Sequence, residues 1–336
     1  MESLTKVELT PGEIEALARA AFGSDVRLTA VERSEEGWFN AAYALALSGP
    51  GPRRAFLKVG PPPQVPVLTY EHRLMRAEAR TLEALARAEV PHVPAVLATD
   101  FSGRIIASDA LFMAFVEGTM LSQARAGMSE VERVRVRRRI GEVCGLANRI
   151  EGEVFGYPGQ PSLQAGSWRG AFEAMVAGLV EDARRFGAPL AQPAEALARA
   201  FEGAFPLLEG AWRPCLTHYD LWDNNVLVRQ GADGWALCGV LDWERGFFGD
   251  PLADVIALTA VGDADEQAAA LAGQSSARGE AFALDEADRR RLALYRAYLW
   301  LIMIVEAGPR GFGGSIRTPA SAAARRLERD LAAANG

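Results

Sequence analysis

Thirteen consecutive residues, Leu216-Thr217-His218-Tyr219-Asp220-Leu221-Trp222-Asp223-Asn224-Asn225-Val226-Leu227-Val228, restrict this chain more than any other stretch. They set a histidine, two aspartates and two asparagines among apolar residues, where polar groups are costly to bury without partners or a chemical task. Val226-Leu227-Val228 begins a strand, Gly231-Ala232-Asp233-Gly234 is a turn, and Trp235 to Leu241 returns. A tip between residues 232 and 233 pairs Asn225 near Val240. Asp242 then lies within about two residues, roughly 7 Å, of Asn225 at the open end of the ribbon. Asp220 sits on the loop entering that end. Two carboxylates and an amide converging there make a hard-oxygen site, suited to Mg²⁺ rather than zinc.

The rest of the composition narrows the possibilities. The chain has 336 residues, room for about two domains, and its 49% hydrophobic and 24% charged residues exclude a disordered chain. A net charge of −7 argues against nucleic acid as the main partner. Cys144, Cys215 and Cys238 form no CxxC pair, and His72, His92 and His218 are dispersed, so neither a disulfide framework nor a structural zinc site is expected. The longest apolar run, Ala297 to Val305, falls short of the ~20 residues that a bilayer span needs. No signal peptide is legible at the N-terminus. The expectation is a cytoplasmic protein without a membrane partner.

The local patterns divide the chain unequally. Thr10-Pro11-Gly12-Glu13 starts a helix that runs to about Gly23. Ala41 to Leu47 and Ala55 to Val59 are strands, and Tyr70 to Glu89 is helical by spacing. Ile105-Ile106 and Leu111 to Val116 read as further strands. Beyond Glu117-Gly118 the sequence is mainly helical, with one β segment at 226–241. The predicted fold is α+β: a small β-rich lobe over residues 1–116 and a larger helical lobe over 117–336. Of 36 basic residues only Lys6 and Lys58 are lysines, so the lysine inside Phe56-Leu57-Lys58-Val59 invites a chemical reason.

His218-x-Asp220-x₄-Asn225, followed seventeen residues later by Asp242, resembles the catalytic and metal-binding loops of the aminoglycoside phosphotransferase family. That family shares the two-lobed protein-kinase-like fold with choline kinases and fructosamine kinases. Phe56 to Val59 is similar to the strand bearing the nucleotide lysine, Leu111 to Gly118 to the interlobe hinge, and Gly249-Asp250-Pro251-Leu252-Ala253-Asp254 to the segment after the metal aspartate. The resemblance implies an ATP- and Mg²⁺-dependent transfer of the γ-phosphate to a hydroxyl of a small molecule, aminoglycoside-like or sugar-derived. Asp220 would be the catalytic base, and Asn225 and Asp242 would hold the metal. Lys58 would meet the α/β-phosphates, with Glu78 as its partner and Glu71 as the rival for that place. Ala114 and Val116 would offer backbone to the adenine edge with Met113 behind the ring, and Gly37 and Asn40 would cover the phosphates.

Two departures from the family pattern stand out: Tyr219 replaces the usual glycine, and the stretch Ser34 to Ala41 carries one glycine only. Leu221-Trp222 also resembles fructosamine kinases, so a fructosamine-type or other metabolite kinase is the alternative acceptor class. A protein kinase is disfavoured, because the seven residues between Asp242 and Asp250 leave no room for a long activation segment. A catalytically inactive nucleotide-binding module would need a missing part, and Lys58, Asp220, Asn225 and Asp242 are all present. Simpler readings apply elsewhere. His218 supports the loop, the cysteines and Trp168 fill core, Asp263 to Asp288 supply a solvated acidic face, and Glu132 to Leu146 form a helix with an exposed basic face.

Overall fold

In the computed structural model, residues 4–34, 37, 39–210, 212–311 and 320–336 are described. Helix α1 (Pro11–Phe22) starts where the sequence places it: Thr10 Oγ1 accepts from Glu13 N–H at 3.3 Å, and Glu13 accepts from Thr10 N–H at 2.8 Å. Five antiparallel strands follow in the spatial order β1-β2-β3-β5-β4: β1 (Arg27–Arg33), β2 (Ala41–Ser48), β3 (Arg54–Val59), β4 (Val96–Asp100) and β5 (Ala110–Ala114). Alternation decides what each face buries. Tyr43, Leu45, Leu57 and Phe112 pack with Ile14 and Leu17 of α1, while Leu111 and Met113 pack with Met75, Leu82 and Leu85 of α2 (Leu74–Arg87). Lys58, between Leu57 and Val59, therefore faces α2.

The chain departs from the sequence pattern at two places in this lobe. The helix read over 70–89 is broken: residues 69–71 form a single 3₁₀ turn, and Arg73 sits at φ 59° before α2 begins at Leu74. The break removes Glu71 from the face it would share with Glu78 on one continuous helix. Ile105-Ile106 lies in a bent loop rather than a strand, and β4 occupies that place in the sheet. An aspartate turn, with Ser102 N–H on Asp100 Oδ1 at 2.9 Å, ends β4 before the isoleucines, and Ile106 is buried against the sheet from its loop.

The larger lobe holds α3 (Leu121–Ala124), α4 (Glu130–Ala147), α5 (Trp168–Arg185), α6 (Ala194–Ala204), α7 (Val255–Leu258), α8 (Ala264–Arg278), α9 (Glu286–Val305) and α10 (Ala320–Asn335). Its main core gathers Trp168, Phe172, Phe247, Tyr295 and Tyr298. Trp168 donates to Tyr295 Oη at 2.8 Å and is core. Helices α4 and α8 touch backbone to backbone, since a Cβ on Gly141 would stand 1.9 Å from Ala270 O. The basic stretch on α4 is less exposed than its sequence suggests: Arg137, with Arg125 and Arg133, binds Glu266, which is fully buried rather than part of a solvated acidic face.

More strand exists here than the pattern showed. β6 (Thr119–Met120) joins the hairpin of β10 (Val226–Gly231) and β11 (Gly234–Val240). Two-residue strands β7 (Phe155–Gly156), β8 (Gln164–Ala165), β9 (Cys215–Leu216) and β12 (Phe248–Gly249) form a small sheet that clamps both ends of the loop system. Strands this short carry no periodic signal.

Candidate active site

The hairpin tip falls between Ala232 and Asp233, with Gly231 opposite Gly234. A bulge opposite Leu227 and Val228 inserts Cys238 as an extra residue, so Val226, not Asn225, faces Val240. Asn225 instead accepts from Leu241 N–H at 2.8 Å, which draws it one residue closer to Asp242 than an unbroken ladder would. Asp242 then turns out of the strand at φ 64° and directs its carboxylate toward β3.

Lys58 Nζ meets that carboxylate. It donates to Asp242 Oδ1 at 2.8 Å, to Glu78 Oε2 of α2 at 2.7 Å and to Glu244 Oε2 at 3.1 Å. One ammonium thus ties the small sheet, its helix and the hairpin end of the large lobe. Burial works against its charge, yet Asp242, Glu244 and Glu78 hold its pKa well above the ordinary lysine value. Burial raises Glu78, opposed by Lys58, whereas Lys58 prevails over burial at Asp242 and lowers it. Glu244 is pushed to about 8 by burial and by Asp242. Glu71 goes elsewhere, accepting from Arg310 Nη2 and from Leu68 N–H, each at 2.8 Å.

The loop carrying Asp220 is fixed by Asp254. Its Oδ1 accepts the backbone N–H groups of His218 and Tyr219, both at 2.9 Å, and its Oδ2 accepts from Asn148 Nδ2 at 2.9 Å. His218 is fully buried, holds Leu241 O at 2.9 Å and lies against Trp243, so it braces the loop against the strand leading to Asp242. Tyr219 stands at φ 64°, a conformation natural to glycine. Its ring compensates by packing on Phe247 and Tyr298, and its hydroxyl donates to Tyr295 O at 2.7 Å.

Asn225 Nδ2 donates to Asp220 O at 2.7 Å. The Asp220 carboxylate lies 3.6 Å from Arg245 Nε. Burial lifts it to about 6, against the pull of Arg245 and with a push from Asp242. Arg245 is in turn bound to Glu306 Oε2 at 2.6 Å, and Glu306 to Arg310 at 2.9 Å.

Lys58, Glu78, Asp242, Asp220 and Asn225 are therefore gathered at one place. Asn40 arrives there too, but its amide donates to Glu244 at 2.5 Å. Gly37 is exposed at φ 78° with open space around it; its neighbours Glu35, Glu36 and Trp38 lie outside the described residues. Met113 is buried between β5 and α2, Ala114 N–H is occupied by Ala95 O at 2.8 Å, and Val116 is half-buried just past the strand. Sequence reasoning passed over Glu244 and Arg245. Their signal was adjacency, an acid and a base within three residues of Asp242 in Asp242-Trp243-Glu244-Arg245.

The sequence matches the profile of the phosphotransferase enzyme family over residues 30–295, most of its length. The chain belongs to that family. It is a small-molecule kinase, and its two-lobed architecture is the protein-kinase-like fold. No curated protein matches the sequence. Among solved structures, this phosphotransferase superposes on aminoglycoside phosphotransferase APH(4)-Ia in ternary complex with AMP-PNP and hygromycin B, with a TM-score of 0.62 and 19% identity, covering 96% of this chain and 99% of the other. It superposes equally on the streptomycin-ATP complex of APH(2")-IIa, with a TM-score of 0.63 and 15% identity over 98% and 99% of the two chains.

Proposed function

We propose that this phosphotransferase moves the γ-phosphate of ATP, with Mg²⁺, to a hydroxyl of a small aminoglycoside-like or sugar-derived molecule. The supporting observation is the Lys58 ammonium, held between Glu78 and Asp242 across the two lobes. A compact cation so placed meets the α/β-phosphates, and Glu78 keeps it aimed once Asp242 turns to other work. Ala114 O and Val116 N–H offer the adenine edge an acceptor and a donor, beside Met113. Gly37 and Asn40 lie on the segment that would cover the phosphates.

The donors around Asp242 fit magnesium: carboxylates from Asp242 and Glu244 and the amide oxygen of Asn225, all hard oxygens. Asp242 is about one-third exposed and open to a ligand, and Asn225 engages Asp220 through its nitrogen, leaving its oxygen for other use. When bound, Mg²⁺ would neutralise charge on the phosphate oxygens; Asn225 and Asp242 would hold it. Asp220 orients the acceptor hydroxyl and takes its proton, with Arg245 favouring the ionised carboxylate. Arg245 faces the carboxylate of that base, and Asn225 holds its backbone carbonyl.

The test is a transfer screen with ATP and Mg²⁺ against aminoglycosides, fructosamines, choline and homoserine, with product mass measured. A mass gain of one phosphoryl group on an aminoglycoside supports the reading. Transfer confined to a fructosamine would move the acceptor class, and nucleotide binding without any transfer would leave an inactive module.

A further inference from the structure

A cavity of about 520 Å³ opens beside Asp250 and Pro251. Its lining includes none of Lys58, Asp220, Asn225 or Asp242, so it is separate from the proposed transfer site. Its size is that of a small-molecule pocket. Arg149, Arg213, Arg278 and Arg291 contribute to its wall together with Trp212 and Phe282.

Of the cations in this wall, Arg213 pairs with Glu151 at 2.9 Å and Arg291 with Asp288, whereas Arg149 and Arg278 have no carboxylate within hydrogen-bond distance. Asp250 accepts Leu252 N–H at 2.9 Å and Tyr295 Oη–H at 2.8 Å. Asp288 accepts Leu284 N–H at 2.8 Å and one nitrogen of Arg291. Asn148 is fully engaged by Leu216, Asp254 and Gln274. Arg291, by contrast, keeps a buried Nε with no hydrogen bond; it lies 3.3 Å from Asp250 Oδ2 but off the bonding direction.

Arg278 is mostly buried and donates only to the Glu280 carbonyl, its nearest carboxylate oxygen being 3.9 Å away on exposed Glu280. Burial pushes its pKa down, the mark of a cation short of counter-charge. Arg149 makes no side-chain hydrogen bond or ion pair among the described residues. Trp212 and Phe282 hold Arg291 and Arg278 in place, with guanidinium carbons 4.8 and 3.9 Å from the ring centres.

Guanidinium groups with donors to spare, fixed against aromatic rings in a concave wall, recognise oxyanions through their planar forks. We propose that this cavity binds a small organic oxyanion, its phosphate or carboxylate group between Arg149, Arg278 and Arg291 and its body against Trp212 and Phe282. The occupant would sit two residues from the loop carrying Asp220, because Asn148 in the wall binds Asp254, which holds the His218 and Tyr219 amides.

The test is calorimetric titration of the whole chain with glucose 6-phosphate, citrate and inorganic phosphate, against glucose and against chloride at equal ionic strength. Saturable binding of at least one anion is expected, with none for glucose. It should weaken tenfold or more in both Arg149→Gln and Arg278→Gln, and persist with saturating Mg²⁺–AMP-PNP. Preference between glucose 6-phosphate and citrate assigns the anionic group. Binding no stronger than chloride, binding unaltered in the two variants, or displacement by Mg²⁺–AMP-PNP would each overturn the proposal, whatever the acceptor screen shows.

Discussion

Replacing Lys58 by Met keeps the apolar stem and removes the one cation that three carboxylates share. Burial raises Glu244 to about 8, so it sheds its charge readily once the lysine is gone, and the costly orphan is Glu78. Asp242 is about one-third exposed and open to water, whereas Glu78 is 1% exposed and keeps only the Trp243 backbone N–H against its charge. Removing one member of a buried pair costs about 3–5 kcal/mol. The lower end of that range applies at pH 7, because Glu78 escapes by taking a proton. At about 2 °C per kcal/mol for a chain of this size, the melting temperature should fall by roughly 6 °C.

The sign of the pH dependence follows. Glu78 in the variant has a folded pKa raised above its unfolded value, so its contribution is complete below the unfolded pKa and is lost as pH rises. The gap to wild type should be narrow at pH 5 and wide at pH 8. Adding Glu78→Gln to Lys58→Met should recover most of the stability and none of the AMP-PNP affinity. Calorimetric melting at the two pH values reads the first effect and nucleotide titration the second. Equal melting of variant and wild type at pH 8, or a double variant no more stable than the single, refutes the reasoning.

Asp220→Asn should lower turnover by about 10² or more on an identified acceptor, with nucleotide affinity retained, as steady-state rates and titration would show. In the wild type kcat/KM should rise with pH through about 6 as the Asp220 carboxyl loses its proton, and a flat profile between pH 5 and 7 would contradict its role as base. Asp254→Ala leaves the buried N–H groups of His218 and Tyr219 without an acceptor and takes from the Asn148 amide one of its two, Leu216 O remaining. At about 1–3 kcal/mol for each such group, it should be among the most destabilising single changes and should speed amide exchange at 218–220. Tyr219→Phe loses one buried hydrogen bond, about 1 kcal/mol by thermal melting, and should leave turnover unchanged, since the ring and not the hydroxyl fills the core.

The lobes, the α+β class, the hairpin with its tip, and the polar residues at its open end were legible because each rests on local signals. A capping box, period-two alternation, glycine turns and a strand lysine in an arginine-rich chain are all written within a few neighbours. The breaks were not. The left-handed Arg73 interrupts a stretch whose apolar spacing reads as helix on both sides, and the Cys238 bulge changes a register without disturbing any apolar pattern. Glu244 and Arg245 likewise look like surface residues until the fold shows what surrounds them.

The linear order of residues determined which groups stand next to Asp220 and Asp242 along the chain, and that Lys58 lies on a strand between two apolar neighbours. Only the tertiary structure decided that Glu78 rather than Glu71 meets that lysine, that Glu244 joins them, and that Arg245 faces Asp220. The reason is physical. Local signals act over a few residues of backbone, whereas the partner of a buried charge is chosen by whichever opposite charge the packed core leaves within about 3 Å, here across 20, 184 and 186 positions of sequence.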